Sequence, residues 1–178
     1  SKQIGDGNLL SQLTKKTVVY NFRQNDIENG GEGAPLVPIF HKLIVSQKKI
    51  ELPVCILNLG GIANITAINE YEDDTFLSRD LGPGNCLIDE WVRNNTKNKF
   101  DNNGNKGKKG RIDELIVNQA LDNFSNKYNQ NISSFDTKDF SLGFVRGLNL
   151  EDGAATLTDF TGKIIGSELS SFLSKLED

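Results

Sequence analysis

The sequence predicts an α/β protein in which a small sheet, its strands joined by glycine turns, is flanked by helices. Three observations carry this. Val54–Leu59 is a nearly continuous apolar run, and Ile62–Ile68 alternates like its hairpin partner across Gly60-Gly61. Beyond a second glycine turn, Leu87, Ile88, Trp91 and Val92 recur at helical spacing. The 178 residues, 37% apolar and 25% charged, are enough for one sizeable domain or for pieces of two.

From the start of the chain, Asp6 followed by Asn8 to Leu13 reads as an N-cap and a short helix, and Thr17-Val18-Val19-Tyr20 as a strand. Phe22 to Glu28 adds a helical turn before the loop Gly30-Gly31-Glu32-Gly33-Ala34-Pro35, whose glycines let a ligand approach the backbone. Pro38 to Val45 has Ile39, Phe40, Leu43 and Ile44 at the spacing of a helix with one buried face. The apolar run at 54–59 is that of a buried strand, and Phe76 to Arg79 reads as a third strand. A helix is expected from about Pro83, because proline suits a first helical turn. Asn94 to Gly110, with six asparagines, three glycines and a run of lysines, is expected to be a flexible, solvated excursion. Helical patterns resume over 111–128 and run from about residue 150 to Leu176, through Ala154, Leu157, Phe160, Ile164, Leu169 and Phe172.

Composition limits the functional classes. A net charge of -4 argues against bulk electrostatic gripping of nucleic acid or anionic lipid, so a small-molecule partner is expected. There is no apolar run of membrane-spanning length, and Ser1 to Gly7 lacks the regions of a signal peptide; a soluble, cytoplasmic protein is expected. Cys55 and Cys86 indicate neither a disulfide framework nor a metal-ligand pair, and no zinc ligands, P-loop or nucleophilic triad is evident around the single His41. Methionine is absent, which points to a fragment of a longer gene product.

Two turns could carry chemistry. Asn58-Leu59-Gly60-Gly61-Ile62-Ala63-Asn64 brings a strand into paired glycines, where backbone N–H groups and the asparagine side chains could hold phosphate oxygens; a plain hairpin connector explains the glycines equally well. Asp80-Leu81-Gly82-Pro83-Gly84-Asn85 sets a carboxylate at a strand end, frees the backbone, and starts a helix whose first amides favour an anion. That suits a general base beside a phosphate, or a simple capping aspartate. Arg23 and Asp26, before the Gly30 loop, could reach a sugar or carboxylate bound there, or form a surface ion pair.

In order and spacing, Gln3-Ile4-Gly5-Asp6, Phe22-Arg23 with Asp26, Gly30-Gly31-Glu32-Gly33-Ala34-Pro35-Leu36-Val37-Pro38, the Asn58–Asn64 turn and Asp80-x-Gly82-Pro83-Gly84-Asn85 resemble the anhydro-N-acetylmuramic acid kinases. Glu151-Asp152-Gly153-Ala154-Ala155-Thr156-Leu157-Thr158 looks like the start of a long helix in the same family. The resemblance implies an actin/hexokinase/Hsp70-like (ribonuclease H-like) kinase fold, incomplete here, with a mixed sheet and flanking helices around a cleft. Residues 1–50 would end the first actin-like domain and 51–178 begin the second. The implied reaction opens the anhydro bridge of 1,6-anhydro-N-acetylmuramic acid with water and phosphorylates O6, using ATP and Mg2+, in cell-wall recycling. By motif, Asp80 would be the base. Arg23 and Asp26, with Gly31, Gly33, Ala34 and Pro35 of the loop and Gly82, Gly84 and Asn85, would bind the sugar. Asn58, Gly60, Gly61 and Asn64 would meet the ATP phosphates, and no protein side chains are implied as metal ligands. A homodimer is compatible with the resemblance. Gln24 and Asn25 stand where the family commonly has arginines, and Leu81 where it has threonine. The family's phosphate and adenosine loops have no counterpart here, so the isolated chain is expected to be inactive. A kinase of another sugar, or a non-catalytic sugar-binding fragment, is the competing reading.

Overall fold

The computed structural model describes residues 5–31, 33, 36–70, 77–128 and 134–174. The chain divides into two compact units, Ser1–Leu36 and Val37–Asp178.

In the first unit, helix α1 (Gly7–Thr14) starts where the Asp6 carboxylate accepts from the Leu9 amide at 2.9 Å, the N-cap its sequence announces. Helix α2 (Phe22–Glu28) follows. Residues 17–20, expected as a strand, are irregular. A strand needs a ladder partner, and none stands beside them among the described residues. Tyr20 instead lies against Gly7 at the start of α1, where a Cβ would overlap its ring, and its hydroxyl reaches Asn8 at 3.1 Å. Gln3 and Ile4 of the first motif, and Ala34 and Pro35 of the loop, lie outside the described residues.

The second unit opens with α3 (Pro38–Lys48), proline at its first turn; its buried residues are Pro38, His41 and Val45, whereas Ile39, Phe40 and Leu43, expected on the buried face, are exposed. Three strands follow, β1 (Val54–Leu59), β2 (Ile62–Ile68) and β3 (Leu77–Pro83), antiparallel in the order β1-β2-β3. The hairpin expected across Gly60-Gly61 is present, with Leu59 opposite Ala63. Phe76, the expected first residue of the third strand, is outside the described residues, and β3 runs further than expected. Pro83 ends this strand instead of opening a helix: it faces Ile62 across the ladder, and α4 (Cys86–Asn95) starts three residues later. β1 is not the buried strand its apolar run implies. It is an edge strand, and Leu57 and Leu59 are 37% and 55% exposed because the long C-terminal helix covers β2 and β3 but not β1.

That helix, α6 (Leu150–Ser174), is roughly 37 Å long at 1.5 Å per residue and serves two cores. Its first half packs Ala154, Leu157, Phe160 and Ile164 against Leu87 and Trp91 of α4 and Val117 and Ala120 of α5 (Glu114–Lys127). Its second half sets Ile165, Leu169 and Phe172 on Ala63, Ile65, Ala67 and Leu81 of the sheet. Arg79 ties β3 to this end, donating to the Glu168 carbonyl at 2.9 Å and pairing with its carboxylate at 3.2 Å. The Trp91 indole donates to the Leu150 carbonyl at 3.0 Å, and its ring fills the space a side chain at Gly153 would need.

Residues 94–110 form a folded loop rather than a flexible excursion. Two short 3-10 turns, Asn102–Gly104 and Gly107–Lys109, are organised by the Asp101 carboxylate, which accepts from the amides of Lys106 and Gly107 at 2.8 and 2.9 Å. Gly110 lies so close to Glu151 that a Cβ would overlap its carbonyl, and the Arg111 amide donates to Asp152 at 2.7 Å. Hydrogen bonds and close glycine contacts order a segment that has little apolar surface to bury.

Two glycine substitutions should have opposite signs in urea denaturation of the full-length protein. Gly84→Ala puts a Cβ into the Gly60 carbonyl oxygen and should destabilise by about 1–3 kcal/mol. Gly166→Ala, in the interior of α6 with open space beside it, should stabilise by about 0.5–1 kcal/mol. Equal effects would contradict the packing described.

Candidate active site

The two glycine turns dock on each other. The Gly60 carbonyl accepts from the Asn85 amide at 2.7 Å, the Gly61 carbonyl from those of Gly84 and Cys86 at 2.9 and 3.2 Å, and the Asn85 side chain donates to the Leu59 carbonyl at 2.8 Å. This contact corrects one expectation. The amides of Gly84, Asn85 and Cys86, read from the sequence as an anion seat, are taken up by hairpin carbonyls. Gly82 is glycine for another reason: φ is 147°, and a Cβ would meet Ile164 at 2.8 Å and Phe124 at 3.3 Å on the α6 side of the sheet.

The ladder between β2 and β3 contains a bulge. Asn64 faces Asp80, but Ala63 faces Gly82, so Leu81 is the extra residue. Leu81 turns into the α6 core at 1% exposure, so the departure from threonine there alters packing, not the polar face. Directly opposed residues share a face, so Asn58, Asn64 and Asp80 form a polar row across all three strands. The face they share lies opposite the one that Ala63, Ile65 and Ala67 turn to α6. Asn64 Oδ1 is buried with no hydrogen-bond partner among the described residues.

Next to the row on the same face, Thr66 Oγ1 meets His41 Nδ1 at 2.9 Å and Ser78 Oγ at 3.4 Å, and Ser78 donates to the Ile65 carbonyl at 2.9 Å. Burial lowers the His41 pKa, so this histidine is a neutral, satisfied core group.

Asp80 is 9% exposed and belongs to β3, so it caps no helix. Burial pushes its carboxyl above the usual carboxylate range; the Phe135 amide, donating to Oδ2 at 2.8 Å, and the Ser134 hydroxyl pull it back. Nothing in the local sequence of Asp80 announces Ser134 and Phe135, which lie more than fifty residues downstream.

Arg23 and Asp26 belong to the first unit and meet at one residue, Gly33. Arg23 Nη1 donates to the Gly33 carbonyl at 2.6 Å, and Asp26 Oδ2 accepts from the Gly33 amide at 2.7 Å. Gly30 and Gly33 have φ of 88° and 75°, and a Cβ at Gly31 would overlap the Asp26 carboxylate. The glycines therefore let the loop fold onto α2. Among the described residues no group of three or more His, Cys, Asp or Glu could hold a metal ion, and no helix is long and apolar enough to cross a membrane. Both cysteines are free; Cys55 is exposed on the edge strand and Cys86 partly buried.

A buried carboxylate beside a strand bulge, in one row with two carboxamides and next to docked glycine turns, is the candidate site. The sequence model of the anhydro-N-acetylmuramic acid kinase family matches residues 1–174. A protein of Pelagibacter ubique named anhydro-N-acetylmuramic acid kinase is 57% identical over 178 residues, covering all of this chain and 48% of that protein. Proteins of the same name from Zymomonas mobilis and Methylobacterium nodulans are 44% and 42% identical, covering 96% and 94% of this chain and 46% and 44% of theirs. The chain belongs to the anhydro-N-acetylmuramic acid kinase family, and it spans about half the length of the curated relatives it matches.

The raised Asp80 pKa has a sign that can be tested. Below the unfolded carboxylate pKa the group is neutral in both states; as pH rises through the raised folded value, the native protein must hold a buried charge and loses stability. Relative to wild type, Asp80→Asn should therefore gain melting temperature between pH 4 and pH 8. A pH-independent difference in thermal melts would contradict the assignment.

Proposed function

We propose that the protein containing this chain is an ATP-dependent sugar kinase that opens 1,6-anhydro-N-acetylmuramic acid with water and phosphorylates O6, giving N-acetylmuramic acid 6-phosphate. The observation that carries the proposal is Asp80: buried, basic for a carboxylate, held by two donors, and set on a bulge beside the Asn58 and Asn64 side chains. In this reading Asp80 takes a proton from the attacking water. The water oxygen bonds to the anomeric carbon, the bond from that carbon to O6 breaks, and O6 takes the γ-phosphoryl group of ATP as its bond to the bridging oxygen breaks and ADP leaves.

Arg23, anchored through one guanidinium nitrogen to Gly33, keeps other N–H groups for the lactyl carboxylate of the sugar. Asp26, which accepts from the Gly33 amide, fixes that residue beside Arg23 for the sugar. Gly82, Gly84 and Asn85 act by shaping the turn that carries Asp80, since the amides of Gly84 and Asn85 are engaged with the hairpin. ATP, with Mg2+, supplies the γ-phosphate when bound. The carboxamides of Asn58 and Asn64 fit phosphate oxygens as neutral donors, and they with the Gly60-Gly61 turn are the residues that would hold them.

The fold in this reading is actin-like, with 1–50 closing one domain and 51–178 opening the next. The open edge of β1, with exposed Leu57 and Leu59, supports it as the place where such a sheet would continue. The enzyme would work in the cytoplasm, on small molecules, in cell-wall recycling, and a homodimer is its proposed assembly.

Asp80→Asn in the full-length protein should lower kcat by about 10²–10⁴-fold, the usual share of a general base, with the sugar Kd unchanged by calorimetry. Undiminished turnover would refute the reading. The isolated 178 residues should show no ATP-dependent sugar phosphorylation; measurable product from them would refute the claim that further chain is required.

A further inference from the structure

The segment that holds Asp80 is itself held. The Phe135 ring sits edge-on to Tyr128 at 5.2 Å between centroids, and lies 5.5 Å from Phe140 and 6.2 Å from Phe124. Phe124 also backs onto β3, 3.3 Å from where a Cβ at Gly82 would stand, so the aromatic cluster touches the strand that carries Asp80. Beyond Phe135 the chain is locked by a reciprocal cap: the Asp139 carboxylate accepts from the Asp136 amide at 2.7 Å, and the Asp136 carboxylate from the Lys138 amide at 3.0 Å. The Tyr128 hydroxyl closes the arrangement on the Asp139 carbonyl at 2.7 Å.

We propose that Ser134 and Phe135 are positioning residues for the proposed base: the hydroxyl and the amide, fixed by the aromatic cluster, set the direction of the Asp80 carboxylate toward the reacting water. This rests on the reading of Asp80 as the base. Without these donors a carboxylate buried in a sheet would be free to rotate and would favour its neutral form more strongly; with them part of the cost of ionisation is offset and one orientation is held. Among the described residues no charged side chain does this work. Arg79 is turned to Glu168 on α6, His41 is neutral and bonded to Thr66, and the carboxylates of Asp136 and Asp139 are occupied by the cap. The causes that act on Asp80 are burial and the two donors.

The test uses the full-length protein and the pH dependence of kcat/KM, with the sugar Kd measured separately. Ser134 is exposed, so Ser134→Ala should fold. It should move the acidic limb upward by about one pH unit, lowering kcat/KM about tenfold below the limb, with the sugar Kd unchanged, as expected for a lost hydrogen bond to a charged group. Ser134→Thr, which keeps the hydroxyl, should restore the limb. Phe135→Leu, which keeps the amide but loosens its anchor, should lower kcat rather than weaken sugar binding. An unmoved limb in Ser134→Ala overturns the proposal, as does a fall in kcat/KM caused wholly by weaker sugar binding. Turnover retained by Asp80→Asn would instead overturn the reading of the base itself, so the two failures are distinguishable.

Discussion

The second unit depends on the contact between its two glycine turns. Hairpin carbonyls at Gly60 and Gly61 receive the amides that would otherwise stand unpaired at the start of α4, and the Asn85 side chain adds a bond to Leu59. Only a residue without a Cβ permits that approach at Gly84. The bulge at Leu81 follows from the same geometry: β3 must reach the hairpin turn at Pro83 while keeping Asp80 opposite Asn64, and one extra residue absorbs the difference. Asp80 is thereby placed by backbone bonds at both ends of a short stretch, not by side-chain packing alone.

Burial and hydrogen bonding act against each other at this carboxylate. A buried acid is useful as a base only if it remains ionised when a proton must be taken, and usefully basic only if burial raises its affinity for that proton. Asp80 has both influences, burial the larger. The sheet opposite α6 is polar in an ordered way, with the Asn58–Asn64–Asp80 row beside the Thr66–Ser78–His41 chain, while the α6 face is apolar except for Arg79. One face stabilises and the other carries the polar groups.

Local pattern revealed what local forces determine. The spans of β1 and β2, the Asp6 cap and the long final helix could all be read directly, because period, capping residue and turn glycines agree there. Residues 17–20 have strand composition but no strand to pair with among the described residues, and Pro83 has a helix-starting residue type but a ladder partner in Ile62. Residues 94–110 look unstructured because order there comes from Asp101 and from glycines pressed on α6 rather than from apolar side chains. At the candidate site, the turn bearing Asp80 was legible as a motif. Its donors were not, because a contact between β3 and the segment after α5 leaves no trace in the spacing of either.

Among the described residues of the second unit nothing pairs with the outer edge of β1, which has a physical consequence for handling the chain by itself. Its backbone donors and acceptors face outward along a strand whose Leu57 and Leu59 side chains are also exposed, with neither lysine nor proline within it to discourage pairing. Such an edge is a template for strand addition from any nearby copy, so the concentration of free chain, more than its intrinsic stability, governs whether it remains dispersed or assembles into intermolecular sheets.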